Sequence, residues 1–420
     1  MKKRIIQIIY DMRTQPVVAY VTVIGTALTI FLIMTVMMMQ QVKLISIAPE
    51  THRERMLYGI YIHIKSVDEG SKSESSGSIG YPSATKLYGD LDGVEEISYM
   101  NDCVSSLDLK GTNNKKFTGD VRYADSGIWS VFDYELLAGR YYTPEEVESG
   151  TKVAVVTRST ARRLFDSEDA VGQHFSLDHS DYEVIGVVED VSRLASFAYG
   201  DVFAPIDIPG NSEYELGSLM AAMLVKEGIS FEKIREQVKK RYAEYDAELA
   251  STGRKTVYHG APFDQETYVD GINGSNGTPD PKKNKVTRGI IYAILLLVPA
   301  INLSTMLHSR LRRRVSEIGV RRAFGCTKAR IIRDILAENF IVTLAGGILG
   351  LAAGILFALF YDGLYTSAEN EIVRPALGLL LDWHILLFAF GACLVLNIIS
   401  ASVPAWQASR LNPVEAINTK

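Results

Sequence analysis

Cysteine is scarce in this 420-residue chain. Its three thiols, Cys103, Cys326 and Cys393, lie far apart without ligand spacing, which excludes a disulfide framework and a cysteine-based zinc site. The sequence also contains no GxxxxGK[ST], no HExxH and no GxSxG. A phosphate-cradling P-loop, a zinc-protease helix and a nucleophile elbow are therefore all missing. The glycines of Gly319–Gly325 come nearest to a P-loop, but the lysine is not in place. A net charge of −5 and a pI near 5.9 argue against a globally basic nucleic-acid binder.

Charge is missing from four long stretches: residues 17–39, 289–307, 339–361 and 383–407 hold no Asp, Glu, Lys or Arg. Each is about the ~20 residues that a helix needs to cross a bilayer core. They explain how a chain with 44 basic and 49 acidic residues keeps a mean hydropathy of +0.08. The first run is too long for the ~7–15-residue apolar stretch of a signal peptide and has no cleavage site, so it reads as an uncleaved anchor. Without Asp, Glu, Lys or Arg inside the spans, a proton relay or polar ion path within the membrane has no such residues to run on.

Basic flanks orient the spans, because the cytoplasmic side retains Lys and Arg. Lys2, Lys3, Arg4 and Arg13 face one acid in the N-terminal tail, and segment 309–337 carries nine basic residues against two acidic. Loop 362–382 has Arg374 against four acids, and segment 41–287 has 27 basic against 40 acidic residues. Both termini and the basic loop are thus expected in the cytoplasm, with the acidic segment outside. The third span carries Gly346, Gly350 and Gly354, a spacing that lets helix backbones approach closely and predicts a packing seam. A glycine-rich lipid-facing helix is the plainer alternative. Pro299, Asn302, Asn397 and Pro404 mark expected kinks and interhelical hydrogen bonds.

Segment 41–287 is long enough for two modules. Tyr58–Lys65 alternates like a strand, Pro82–Leu91 reads as a helix stopped at Gly93, and strands follow at Glu96–Met100 and Val104–Leu109. Later, Leu219–Lys226 reads as a strand and Ser230–Leu249 as an amphipathic helix with Ser230 as its N-cap. Its apolar face is Phe231, Ile234, Val238, Tyr242 and Tyr245. Thr256–His259 is the closing strand. Two βαβ-like halves thus flank an inserted β-rich segment, 121–216, with strands at Lys152–Thr157 and Tyr182–Val188 around a helix at Ser159–Phe165. Ser71–Gly80 and Gly271–Lys285 read as flexible by composition.

Catalytic candidates are few. Adjacent acids such as Glu145-Glu146 and Glu189-Asp190 are cheap in so acidic a segment and read as solvated surface. His174 and His179, beside Asp178 and Asp181, could be imagined as metal ligands, but a polar hairpin simply solvates them. Cys103 reads as a buried small hydrophobe rather than a nucleophile. No catalytic, cofactor-binding or metal residues are assigned. What stands out is the basic cytoplasmic segment, RLRRRVSEIGVRRAFG from Arg310 to Gly325, then CTKARIIRDILAE. Its interleaved Val315, Ile318, Val320, Ala323 and Phe324 would suit a membrane surface or a partner's groove, and Gly319 and Gly325 would both suit helix termini and tight packing.

These motifs resemble the MacB/FtsX-type permeases of ABC transporters. The resemblance rests on Arg312–Gly325, on Glu338 at the third span, on Gly346–Gly354 and on the C-terminal Val403–Ala416 pattern. In the acidic segment it rests on Leu137-Ala138-Gly139-Arg140, Lys152–Phe165, Val171-Gly172-Gln173 and Tyr182–Val188. It implies an α+β membrane protein with four transmembrane helices and a large extracytoplasmic domain of porter-like βαβ halves and an inserted sabre-like module. The expected order is a cytoplasmic amphipathic segment 1–16, span 17–39, outer domain 41–287 and span 289–307. Coupling loop 309–337, span 339–361, outer loop 362–382, span 383–407 and cytoplasmic tail 408–420 follow.

The resemblance further implies a non-catalytic permease of the bacterial inner membrane, driving export or efflux by mechanical transmission. Its ATPase would be a separate cytoplasmic subunit, since only 16 residues precede the first span. Expected partners are that ATPase, a second permease copy or a related permease, membrane lipid, and, in efflux systems, a periplasmic adaptor and outer-membrane channel. ATPase coupling falls on Val315, Glu317, Ile318, Gly319, Arg321, Arg322, Phe324 and Gly325, with Val315, Ile318 and Phe324 as the docking face. Helix packing falls on Gly346, Gly350 and Gly354. Two alternatives stay open: an FtsX-like regulator relaying ATPase motion to an outer enzyme or sensor, and a membrane-anchored receptor without an ATPase.

Overall fold

The computed structural model describes residues 16–41, 43–67, 74–112, 115–207, 215–271, 282–294 and 315–365, with scattered positions at 297–304 and 387–407. The chain divides into two units. One is 43–285 with 363–375; the other is 1–42, 286–362 and 376–420.

The first unit is built on an antiparallel sheet with two helices. Strands β1 (Met56–Gly59) and β2 (Tyr61–Ser66) form one run interrupted at Ile60, and β3 (Glu74–Ile79) folds back on β2 with Tyr61 opposite Ser78. Helix α2 (Tyr81–Tyr88) leads to β4 (Val94–Asn101); α1 is the helix Pro16–Gln41 of the other unit. After the insert come β13 (Leu219–Val225), helix α6 (Phe231–Leu249) and β14 (Arg254–Thr256). Strand β13 runs antiparallel to β1 on one edge and to β4 on the other, Met223 lying opposite both Leu57 and Ile97. Strand β14 pairs antiparallel with β2. Each helix therefore joins two strands of one direction with a third between them, a split strand–helix–strand unit. Ile234, Val238, Tyr242, Tyr245 and Leu249 of α6 are buried, and Ser230 Oγ accepts from Lys233 N as the expected N-cap.

The expectation for Ser71–Gly80 does not hold. Residues 74–79 form β3, because β2 supplies a ladder that Ser- and Gly-rich composition does not forbid on a paired edge. The closing strand sits at Arg254–Thr256, two residues earlier than expected.

The inserted module contains β5 (Ser105–Lys110), β6 (Lys116–Ala124), α3 (Ile128–Val131), β7 (Leu136–Gly139), α4 (Pro144–Glu148), β8 (Val153–Thr157) and α5 (Arg158–Phe165). It continues through β9 (His174–Leu177), β10 (Ser180–Val188) and β11 (Val202–Pro205). Two short strands, β12 (Leu216–Gly217) and β15 (Phe263–Asp264), and helix α7 (Gln265–Gly271) complete the unit. Strands β8 and β10 pair in parallel around α5, and β6 pairs in parallel with β11. A second core forms here from Ala154 and Val156 on β8, with Leu164, Phe175, Leu177 and Val184. It also takes Leu109 from β5, so the module reaches back beyond residue 121.

Two buried guanidinium groups hold the loop before β11. Arg53 bonds Glu50 at 2.6 Å and donates to the carbonyls of Ile45 and Leu194, while Glu50 accepts from the Phe197 and Ala198 amides. Arg122 donates to the carbonyls of Asn101, Ser196 and Tyr199. A buried charge is tolerated only when paired or hydrogen-bonded in this way. Cys103, expected in the core, is exposed on the turn between β4 and β5. In that turn Asn101 Nδ2 donates to the Cys103 carbonyl.

In the second unit, α1 (26 residues) carries no charged side chain. Residues 286–294 are helical, α8 covers Val315–Ala323, and α9 runs unbroken from Lys328 to Tyr365, 38 residues or about 57 Å. The expected boundary between loop 309–337 and span 339–361 is thus internal to one helix. Among the described residues no helix is long and apolar enough to cross a membrane. Several side chains inside α1 and α9, most of 295–314 and most of 366–420 lie outside the described residues. So do the amphipathic 1–16 segment (except Pro16), the C-terminal tail and Pro299, Asn302 and Asn397.

Candidate coupling site

Helices α8 and α9 meet at a tight corner. Gly325 adopts φ +87, its N–H donates to the Arg322 carbonyl at 3.0 Å, and the Cys326 N–H donates to the Arg321 carbonyl at 3.0 Å. This paired arrangement ends a helix with one left-handed residue, the position at which glycine lacks a Cβ penalty. An added Cβ at Gly325 would meet nothing within 4 Å, so the backbone angle alone asks for glycine.

The turn folds α8 back onto α9. Ile318 packs with Ile331, Ile335 and Ala405, with Cys326 and Ile332 at the margin. Ile318 is only 7% exposed because the chain's own helices consume it, whereas Phe324 is 89% and Val320 44% exposed. Gly319 is buried, Val315 and Arg322 are half-buried, and Arg321 is exposed. The side chains of Glu317 and Glu338 lie outside the described residues. Sequence periodicity had marked Ile318 as apolar but could not say what covers it. Ile331 and Ile335, an i,i+4 pair on α9, were the overlooked signal.

The glycine ladder lies against α1. A Cβ built on Gly346 would sit 2.7 Å from Thr26 Cβ and 2.8 Å from the Val23 carbonyl. On Gly350 it would sit 2.6 Å from the Ala27 carbonyl, and on Gly354 2.7 Å from Met34 Cε. Ile30, Ile33 and Met34 form a buried cluster with Leu351 and Phe390 beside it, and Phe31 meets Phe357 edge-on at 5.6 Å. One helix, α9, therefore carries the corner at one end and the packed ladder further along.

Elsewhere, His174 Nδ1 lies 2.9 Å from Asp181 Oδ2 in an exposed pair across β9 and β10. Among the described residues no group of three His, Cys, Asp or Glu could hold a metal. Glu146 belongs to a capping box with Thr143 and a bidentate pair with Arg140, which holds its carboxyl below the usual range.

Residues 20–241 match the family model of the MacB-like periplasmic core domain, and residues 289–413 match that of the FtsX-like permease C-terminal region. The chain belongs to the MacB/FtsX-type family of ABC transporter permeases, membrane proteins with a periplasmic or extracellular domain. It is 24% identical over 341 residues to the uncharacterized ABC transporter permease YknZ of Bacillus subtilis, covering 78% of each chain. It is 25% identical over 343 residues to the macrolide export ATP-binding/permease protein MacB of Wolinella succinogenes. That match covers 80% of this chain and 49% of the relative, so the chain spans about half the length of such MacB proteins. The periplasmic region of MacB from Actinobacillus actinomycetemcomitans is similar over 51% of this chain and 94% of its own, at 17% identity and a TM-score of 0.34.

Proposed function

We propose that this chain is the transmembrane subunit of a MacB-type ABC transporter. It transmits the ATP-driven motion of a separate cytoplasmic ATPase to its extracytoplasmic domain and so drives export of a substrate. The observation that carries this reading is the corner. An exposed phenylalanine sits at its tip beside Arg321, and the helix leaving the corner runs unbroken into the glycine-packed bundle. A push on Phe324 would act on a rod about 57 Å long rather than on a flexible loop. Apolar anchors supply most of an interface's energy, while surrounding charges set orientation and association rate.

The membrane placement, with four spans and both termini inside, belongs to the same proposal and rests on the charge-free runs and the basic flanks. Pairing of two permease copies, and an adaptor with an outer-membrane channel, are further parts of this proposal. The test is recovery of a co-purifying cytoplasmic ATPase from the native cells, by affinity purification with Phe324→Asp and with the parent at equal expression. Loss of the ATPase with Phe324→Asp, while the variant melts like the parent, is the expected result. Undiminished recovery would sink the coupling role of the corner.

A further inference from the structure

A groove of about 500 Å³ runs along α9 next to the coupling corner. Its lining falls into two rows, Ile332, Leu336 and Phe340, and Ala329, Arg333 and Ala337. Both rows repeat every four residues, which places each on one line of the helix surface. From residue 329 to 340 the groove spans about 17 Å of helix, which suits an extended hydrocarbon chain. Ile398 contributes the far edge.

Two further features select the occupant. Arg333 is exposed, makes none of the described hydrogen bonds or ion pairs, and lines the otherwise apolar groove. Lys328 and Arg330 are exposed on the same end of α9, with no acid in its first turn. The groove also lies where the basic part of α9 gives way to the charge-free stretch after residue 339. In the membrane placement proposed above, that is headgroup depth on the cytoplasmic side.

We propose that this groove is a binding site for an anionic phospholipid. One acyl chain lies along Ile332, Leu336 and Phe340, and the phosphate is held by Arg333 with Arg330 or Lys328 near it. Ile332 also borders the cluster that holds α8 to α9, so an occupied groove stiffens the corner on which coupling depends. The site rests on the membrane reading and adds a lipid requirement to it.

The experiment uses the full chain. Parent and Arg333→Gln are extracted from membranes, delipidated in detergent and titrated with phosphatidylglycerol or phosphatidylcholine, with retained lipid read by native mass spectrometry and melting by fluorescence. The parent is expected to retain phosphatidylglycerol about fivefold better than phosphatidylcholine and to melt higher with it, as one basic contact near a lipid surface implies. Arg333→Gln should bring that preference close to one. A third variant, Leu336→Ala, should weaken retention of both lipids. Equal retention of the two lipids by the parent, or an unchanged preference in Arg333→Gln, overturns the proposal. So does a cross-link between copies through cysteines placed at Ala329 and Leu336 in native membranes, which would make the groove a protein–protein contact. Recovery of the chain outside the membrane fraction overturns the membrane reading itself; recovery in the membrane without a lipid preference overturns only this site.

Discussion

Single buried charges decide much of the Lys43–Lys285 unit. Asp125 accepts from Ser98 Oγ at 2.8 Å and from the amides of Tyr99 and Gly127, both at 3.1 Å. Burial nevertheless pushes its pKa up to about 6, against an ordinary value of 3.8. Because the folded value is the higher one, the folded state binds the extra proton between these limits. The resulting stability is fully present below pH 3.8 and is lost as pH rises through about 6, on the order of 3 kcal/mol. Asp125→Asn removes the titration. The variant should therefore lag the parent most near pH 4 and close part of the gap by pH 7, in denaturant melts at both values. A gap that does not change with pH would count against a raised Asp125.

Arg122 is the complementary case at the same scale. Its guanidinium is fully buried and satisfies three carbonyls, two of them in the loop before β11. Arg122→Met leaves those acceptors without donors and should lower stability by about 3 kcal/mol or more, read from the denaturation midpoint. Nothing in the surrounding sequence distinguishes Arg122 from the exposed arginines. Its burial is a property of two chain segments separated by about 75 residues that only the fold brings together.

At the scale of elements, the third-span glycines and the corner glycine do different jobs. Gly350 lacks a side chain because α1 comes too close, with Ala27 O and Ile30 Cβ where a Cβ would go. Gly350→Leu should cost roughly 1–3 kcal/mol by overpacking and lower the melting temperature in detergent. Gly391 meets nothing within 4 Å, and Gly391→Leu is the matched control that should melt near the parent. At Gly325 the space is open and the angle is the constraint. Gly325→Ala should destabilise the corner by about 1 kcal/mol and Gly325→Asn by less, since asparagine tolerates left-handed backbone. Equal melting of all three proteins would show that the corner does not hold this angle. The spacing of the ladder was readable along the chain, but its partner helix was not, because small residues advertise close approach without naming what approaches.

At the scale of the molecule, the decisive property is sidedness. Segment 41–287 should lie outside and the α8–α9 corner inside. With the native cysteines replaced, a reporter at Ser75 should react with a membrane-impermeant thiol reagent in intact cells, and one at Thr327 only after permeabilisation. Both positions are exposed, so a failure to label cannot be ascribed to burial. The reverse pattern would end the four-span reading.

The strands near Tyr58–Lys65, Lys152–Thr157, Tyr182–Val188 and Leu219–Lys226, the amphipathic face of α6 and the charge-free runs followed from local pattern, since periodicity records which side of an element is buried. The Gly325 helix stop was legible for the same reason, as one residue type answers one backbone angle. Strand direction and pairing order were settled only by the fold, as was the strand at 74–79, which exists because β2 offers it a ladder. The α8–α9 corner shows the limit most plainly. Ile318 and Phe324 are both apolar and both near the turn, yet one is sealed against Ile331, Ile335 and Ala405 and the other stands in solvent. Hydrophobicity is written in the sequence residue by residue; which apolar residue is left uncovered depends on distant parts of the chain, and tertiary contact alone decides it.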